Sequence, residues 1–393
     1  MIKQQQQWIL LLTIFLLQSA CSTQSDSAKE TTTPTASTST ASSQTLKDAF
    51  KGKFYIGTAL NSDEINGSDT SALKVIKKHM NSIVAENCMK SESLQPKEGE
   101  FTFAEADAFV EYGEKNGHFI IGHTLVWHQQ TPDWLFKNAD GTQVSKEVLT
   151  ERMRTHITTI VSRYKGRVDG WDVVNEAISD EGGFRDSEWH KIIGDDFIKL
   201  AFEFAHAADP DAKLYYNDYS MSLPPKREGV IKMVKRLQEQ AVQIDGIGMQ
   251  GHSSLDFPNL EDFEASIVAF SELDVKVMVT ELDISVLPFP EGGESADVSL
   301  TGEFKAEYDP YDKGLSYDVA FNFNKRYLDL FTIFLKHSEK IERITFWGVD
   351  DGQSWRNYWP IKGRTDYPLL FDRDYRAKPV VEEIIFMAGQ GNE

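Results

Sequence analysis

Cysteine is nearly absent, with only Cys21 and Cys88 in 393 residues. A disulfide framework is therefore excluded as the source of stability, and a large apolar core must supply it. Positive charge is also in short supply: 41 Lys and Arg face 61 Asp and Glu, a formal net charge of −20. That balance opposes binding of nucleic acid or of an anionic membrane through a basic face, and suits a neutral ligand. No Gly-rich phosphate turn follows the first strand candidate, which argues against a doubly wound nucleotide-binding sheet. No internal repeat, second domain or calcium-loop spacing is present. What remains is an ordinary globular composition, 40% hydrophobic and 26% charged.

The longest apolar run sits at the N-terminus. Lys3 precedes WILLLTIFLLQSA, which ends at Cys21. It is short for a membrane span and is followed by polar sequence, so residues 1–20 are expected to be a signal peptide. LLQSAC has the form of a bacterial lipoprotein cleavage site, with Gln18 where such sites usually carry Leu or Val. The expectation is an exported chain lipidated at Cys21 and held at the outer membrane or cell surface; the alternative is a secreted or periplasmic one. Residues 22–45, rich in Ser and Thr, have almost nothing apolar to bury and read as a disordered tether.

From residue 46 to 393, β-rich runs alternate with amphipathic stretches. Eight strand candidates occur, at 53–60, 82–87, 118–127, 168–176, 213–219, 246–252, 276–284 and 343–349. Segments such as EVLTERMRTHITTIVSRY and KREGVIKMVKRLQEQA carry apolar residues at three- and four-residue steps between them. Eight strand–helix units predict one α/β domain, a (β/α)8 TIM barrel. A long excursion, 287–315, follows the seventh strand, and a loop of that length is more often functional than idle.

Polar residues collect at the ends of these strands: Glu86 and Asn87, His123 and Trp127, Asn175 and Glu176, Asn217 and Asp218, Gln250 and His252, Glu281 and Asp283, and Trp347. In a barrel those ends converge on the face that carries active sites. Glu176 and Glu281 close strands on opposite sides of the ring. Two carboxylates flanking a cleft are what glycosidic-bond hydrolysis requires: one donates a proton, and the other attacks or activates water. A buried salt bridge for each Glu is the plainer explanation. A metal-dependent hydrolase using His123, His128, His156 and His252 is another reading, but His123 and His128 are five apart. Such sites usually pair histidines on one strand face.

The motifs WDVVNEA, VTELD, GHTLVWH, ENCMK, YYNDY, IDGIGMQGH and TFWGVDDGQSW, in that spread along the barrel, resemble the family 10 glycoside hydrolases, retaining endo-β-1,4-xylanases. The resemblance covers residues 48 to 388. It implies action on xylan and xylo-oligosaccharides, with Glu176 as acid/base and Glu281 as nucleophile; that chemistry needs no cofactor, no metal is expected without calcium-loop spacing, and a monomer is expected. The resemblance further implies that His252, held by Asp283, hydrogen-bonds the ionised nucleophile. Glu86, Asn87 and Lys90 match positions that bind sugar on the non-reducing side of the cut, and His123 and Trp127 the wall of the central subsite. His128, Gln130, Gln250, Asn217 and Tyr219 fit contacts or their support, and Trp347 and Trp355 an aromatic lid. A glycan-binding protein without catalysis is the competing reading, which the intact carboxylate pair disfavours.

Neighbouring strand residues point to opposite faces, so Asn175 and Glu176 cannot both face the cleft in a regular strand. A local break there is therefore expected, since by the resemblance Asn175 contacts the sugar 2-hydroxyl. Gln250 and His252, two apart, share a face. Trp171 and Cys88 are expected in the core. Arg356 departs from the family pattern and is expected to alter the leaving-group side.

Overall fold

The apolar runs carry Val, Ile, Tyr and Phe, residues that pack well on a pleated surface, and nine strands form from them. They are β1 (Tyr55–Leu60), β2 (Ser82–Ala85), β3 (Phe119–Val126), β4 (Gly170–Asn175), β5 (Lys213–Asp218), β6 (Gly246–Met249), β7 (His252–Ser254), β8 (Lys276–Ser285) and β9 (Ile341–Phe346). Every pairing is parallel; β6 joins β5 to β8, and β1 joins β2 to β9, so the sheet closes on itself. This is an eight-stave (β/α)8 barrel in a computed structural model that describes residues 44–290 and 295–390. The expectations for the signal peptide 1–20, for Cys21 and for the tether up to residue 43 lie outside the described residues.

The sixth stave differs from the single strand expected at 246–252. It breaks at Gln250 and Gly251, where Gly251 takes φ +81°, and resumes as β7 beside the upper half of β8. Glycine adopts that left-handed backbone without the steric cost other residues incur.

Helices cover the outside of the ring because their apolar rows face it. The helix Lys146–Arg163 buries Leu149, Met153, Ile157 and Ile160, and the Ser145 hydroxyl caps its start by accepting from the Val148 N–H. Tyr317–Lys336 buries Phe323, Tyr327, Leu330 and Phe334 in the same manner. Each such side chain contributes about 1.5–3 kcal/mol when taken from water. Inside the ring a smaller cluster of Ala59, Val84, Ile121, Tyr215 and Met278 fills the barrel below Trp347. Trp171 is buried between sheet and helices, 1% exposed, and Cys88 is buried too. Gly122 makes room for that indole, since a Cβ there would lie 2.2 Å from its ring.

Candidate active site

The carboxyl end of β4 is irregular. Its register against β5 shifts between Asp172 and Val174, and Glu176 adopts φ +59°, a left-handed conformation uncommon for a residue with a Cβ. The break expected from two adjacent polar residues is thus present. Two bonds fix the turn: the Glu176 N–H donates to the Asn217 carbonyl at 2.8 Å, and Arg185 Nε donates to the Glu176 carbonyl at 2.8 Å. Asn175 and Glu176 consequently both line one cleft of about 150 Å³. With them lie Glu86, Asn87, His123, Trp127, Gln250, His252, Glu281 and Trp347, anticipated from the strand ends, and Lys90, Gln130 and Trp355, implied by the family resemblance.

Three donors converge on the Glu176 carboxyl: Trp127 Nε1 at 2.8 Å, Gln250 Nε2 at 2.9 Å and Asn175 Nδ2 at 3.2 Å. Burial nonetheless dominates and raises its pKa, with the hydrogen bonds from Gln250 and Trp127 and the charge of Arg185 offsetting only part. Glu281 is equally buried, yet its balance falls the other way. Burial pushes it up, but the hydrogen bond from His252, the charges of His123 and His252, and the Asn217 amide at 2.7 Å together hold it below its ordinary value. Asn217 also donates to Asn175 Oδ1 at 2.9 Å, so one amide group links the surroundings of the two acids. Neighbouring carboxyls with oppositely displaced pKa values are the signature of a proton donor and an ionised partner.

His252 sits between two carboxylates, with Nδ1 3.0 Å from Asp283 and Nε2 3.2 Å from Glu281. Both ring nitrogens face acceptors, which a neutral imidazole with one N–H cannot satisfy. Burial disfavours the imidazolium, but Asp283 and Glu281 outweigh it and raise the pKa. Asp283 is itself held ionised against its burial by Arg356, which donates at 2.9 and 3.1 Å, and by His252; Trp355 Nε1 donates at 2.7 Å. Arg356 is buried, with both donors on the one Asp283 oxygen Oδ1 behind the Glu281 side.

On the opposite wall Lys90 Nζ donates to Asn87 at 3.0 Å and Gln130 at 2.7 Å, and lies 4.9 Å above the Trp127 ring. Glu86 is half-buried beside it. Burial raises the Glu86 pKa and lowers that of Lys90, each opposed by the partner's charge. His123 Nδ1 is 2.9 Å from Asp172, and its ring meets Trp347 edge-on at 5.3 Å. Trp355 stacks on Trp359 at 4.5 Å.

Asn217 and Tyr219, open between substrate contact and support, both lie behind the wall. Asn217 is fully buried and spends its amide on Glu281, Asn175 and Thr280. Tyr219 is buried with its hydroxyl accepting from Arg185 at 2.6 Å and its ring under Lys226 Nζ at 3.9 Å. His128 flanks the acid, its Nδ1 3.9 Å from Glu176, and burial pushes its pKa down to about 4. His156 lies away from the cleft, bonded to Gln95 and Ser91, so the four histidines do not form one group.

Several functional neighbours escaped the sequence reading. Asp172, an acid within a buried strand, was the one legible signal. Arg185 and Lys226 sit in a loop and a helix with nothing to mark them. Ala296 and Val298, from the 287–315 excursion, line the cleft, and Asp297 between them pairs with Arg185 at 3.5 Å.

Comparison with known proteins agrees with this arrangement. Residues 45–386 match the family described as glycosyl hydrolase family 10. The chain is 50% identical over 341 residues to endo-1,4-beta-xylanase A of Xylanibacter ruminicola, covering 87% of this chain and 92% of that protein. It is 40% identical to an endo-1,4-beta-xylanase of Geobacillus stearothermophilus, covering 86% and 97%. Among solved structures, an endoxylanase of this family from a sugarcane soil metagenome superposes with a TM-score of 0.85 at 45% identity, covering 87% of this chain and 99% of that one. Matched over nearly the whole barrel, the chain belongs to glycosyl hydrolase family 10.

Proposed function

We propose that the protein is an endo-1,4-β-xylanase that cleaves internal xylosidic bonds with retention of configuration. The observation that carries this is the opposed environment of Glu176 and Glu281 in one cleft. Glu176, protonated, gives its proton to the glycosidic oxygen as the bond to the anomeric carbon breaks. Glu281, ionised, forms the new bond to that carbon. Glu176, now a carboxylate, takes a proton from water; the water oxygen displaces Glu281 and releases the sugar. Asn175, sharing the cleft with Glu176, is placed to bond the sugar 2-hydroxyl, while Glu86, Asn87 and Lys90 hold the non-reducing side. Trp347 and Trp355 offer flat faces to the sugar's C–H surfaces.

Reducing-sugar release from linear xylan should vanish in Glu281→Ala. In Glu176→Ala, an aryl xylobioside with a good leaving group should still form the covalent intermediate, and added azide should capture it with retained configuration. Unchanged hydrolysis in Glu281→Ala would remove the nucleophile assignment. The reading extends to location: an exported enzyme acting as a monomer and anchored through a lipid on Cys21 meets a polymer too large to enter a cell. Membrane fractionation tests this, since Cys21→Ser should move the activity into the soluble fraction.

A further inference from the structure

On the outside of the barrel, two neighbouring helices bound a groove of about 550 Å³, larger than the catalytic cleft. One wall is the segment after β7 and the start of the helix Leu260–Ser271, with Asp256, Asn259 and Glu261. The other is the helix Tyr317–Lys336, with Asn322, Lys325 and Asp329. None of these groups takes part in the chemistry described above. The groove begins at Leu255, three residues beyond His252, so its upper end adjoins the rim that carries the cleft.

Tyr317 and Phe321 lie on the same helix, one turn apart, and are 83% and 56% exposed. Their rings are nearly parallel, 22° between planes with centroids 6.5 Å apart, and together they form an exposed aromatic platform. Lys325 continues the row at the next turn, and Asn322 follows Phe321, so the platform runs into the groove. Among the lining residues three acids meet two bases, Lys325 and Arg326. A near-balanced lining of carboxylate, amide and ammonium groups suits a neutral polyhydroxyl ligand better than a polyion. Aromatic faces beside such groups match the alternating C–H faces and hydroxyl edges of a sugar chain.

We propose that this groove and the Tyr317–Phe321 platform are a second binding site for β-1,4-linked xylose chains, separate from catalysis. The inference rests on the xylanase reading. It gives the enzyme a hold on an insoluble chain while the cleft works on the same chain or another.

The test uses the full chain with Tyr317→Ala and Phe321→Ala together; both side chains are exposed, so the fold should persist. Binding to insoluble linear xylan is measured by depletion in a Glu281→Ala background, and kcat/KM on a soluble aryl xylobioside in the active enzyme. The expected result is at least a five-fold loss of affinity for insoluble xylan with kcat/KM unchanged. Undiminished binding, alongside normal xylan hydrolysis by the unaltered enzyme, would overturn the second site alone. Absence of xylan hydrolysis by the unaltered enzyme would overturn the function and this site with it. An equal loss in both measurements would place the aromatics in catalysis and overturn the proposal as stated.

Discussion

Replacing Trp127 with Phe removes one donor and little else from the proposed acid. The indole Nε1 lies 2.8 Å from Glu176 Oε2 and stabilises the carboxylate over the carboxylic acid. A hydrogen bond to a charged group contributes about 1.5–3 kcal/mol. One pKa unit corresponds to about 1.4 kcal/mol, so the Glu176 pKa should rise by about one to two units. Glu176 must be protonated for the first step, and its titration in the free enzyme sets the basic limb of kcat/KM. That limb should move to higher pH by the same amount, while the acidic limb, set by Glu281, stays in place. A higher KM is expected as well, because the smaller phenyl ring offers Lys90 less surface than the indole, but it does not mimic a shift of one limb. The assay is kcat/KM on a soluble xylo-oligosaccharide from pH 4 to 10. A basic limb that stays still or moves down would refute the assignment of Glu176 as the proton donor.

Arg356→Met should leave the buried Asp283 carboxylate without its guanidinium partner. Breaking one side of such a pair costs about 3–5 kcal/mol, read by urea unfolding; the acidic limb should also rise as His252 loosens its hold on Glu281, and a cost under about 1 kcal/mol would contradict the pairing. Glu64 is buried, and that burial pushes its pKa from 4.5 up to about 8. Its ionisation therefore opposes folding, with stability falling as pH climbs from about 4.5 to 8. Glu64→Gln should show no gain near pH 4 and a growing gain in melting temperature towards pH 8. Asp297→Ala releases the pair with Arg185 that holds Ala296 and Val298 at the cleft. The pair is long, at 3.5 Å, and still reaches solvent, so it contributes only about 0–1 kcal/mol; the melting temperature should hardly change while KM on polymeric xylan rises with kcat preserved.

The barrel was legible because its signals are periodic. Eight runs with strand chemistry, separated by helical apolar rows, leave few other closures. The site was legible wherever a polar residue ends an apolar strand, as at Glu176, Gln250 and Glu281, because burial there demands a use. The reading left Asn217 open between contact and support, since alternation predicts which way a side chain points but not whether another side chain covers it. Arg185 reaches Glu176 from a loop, and Arg356 reaches Asp283 across 73 residues. Tertiary contacts of that kind leave no periodic trace. The gap in the sixth stave was hidden too, because Gly251 sits within a run whose neighbours read as strand.

That gap couples two halves of the chemistry. Gln250, before Gly251, donates to Glu176, and its own carbonyl receives the Glu281 N–H at 2.7 Å. His252, after it, serves Glu281 and Asp283. Both bonds lower the pKa of the acid they touch, so three consecutive residues restrain the two acids in the same sense through one segment hinged at the glycine. A side chain at position 251 would meet Val279 at 2.7 Å and resist the φ of +81°. Displacing that segment should weaken both bonds and raise both titrations, moving the acidic and basic limbs of the pH profile upward together, an effect no change at either carboxylate alone would produce.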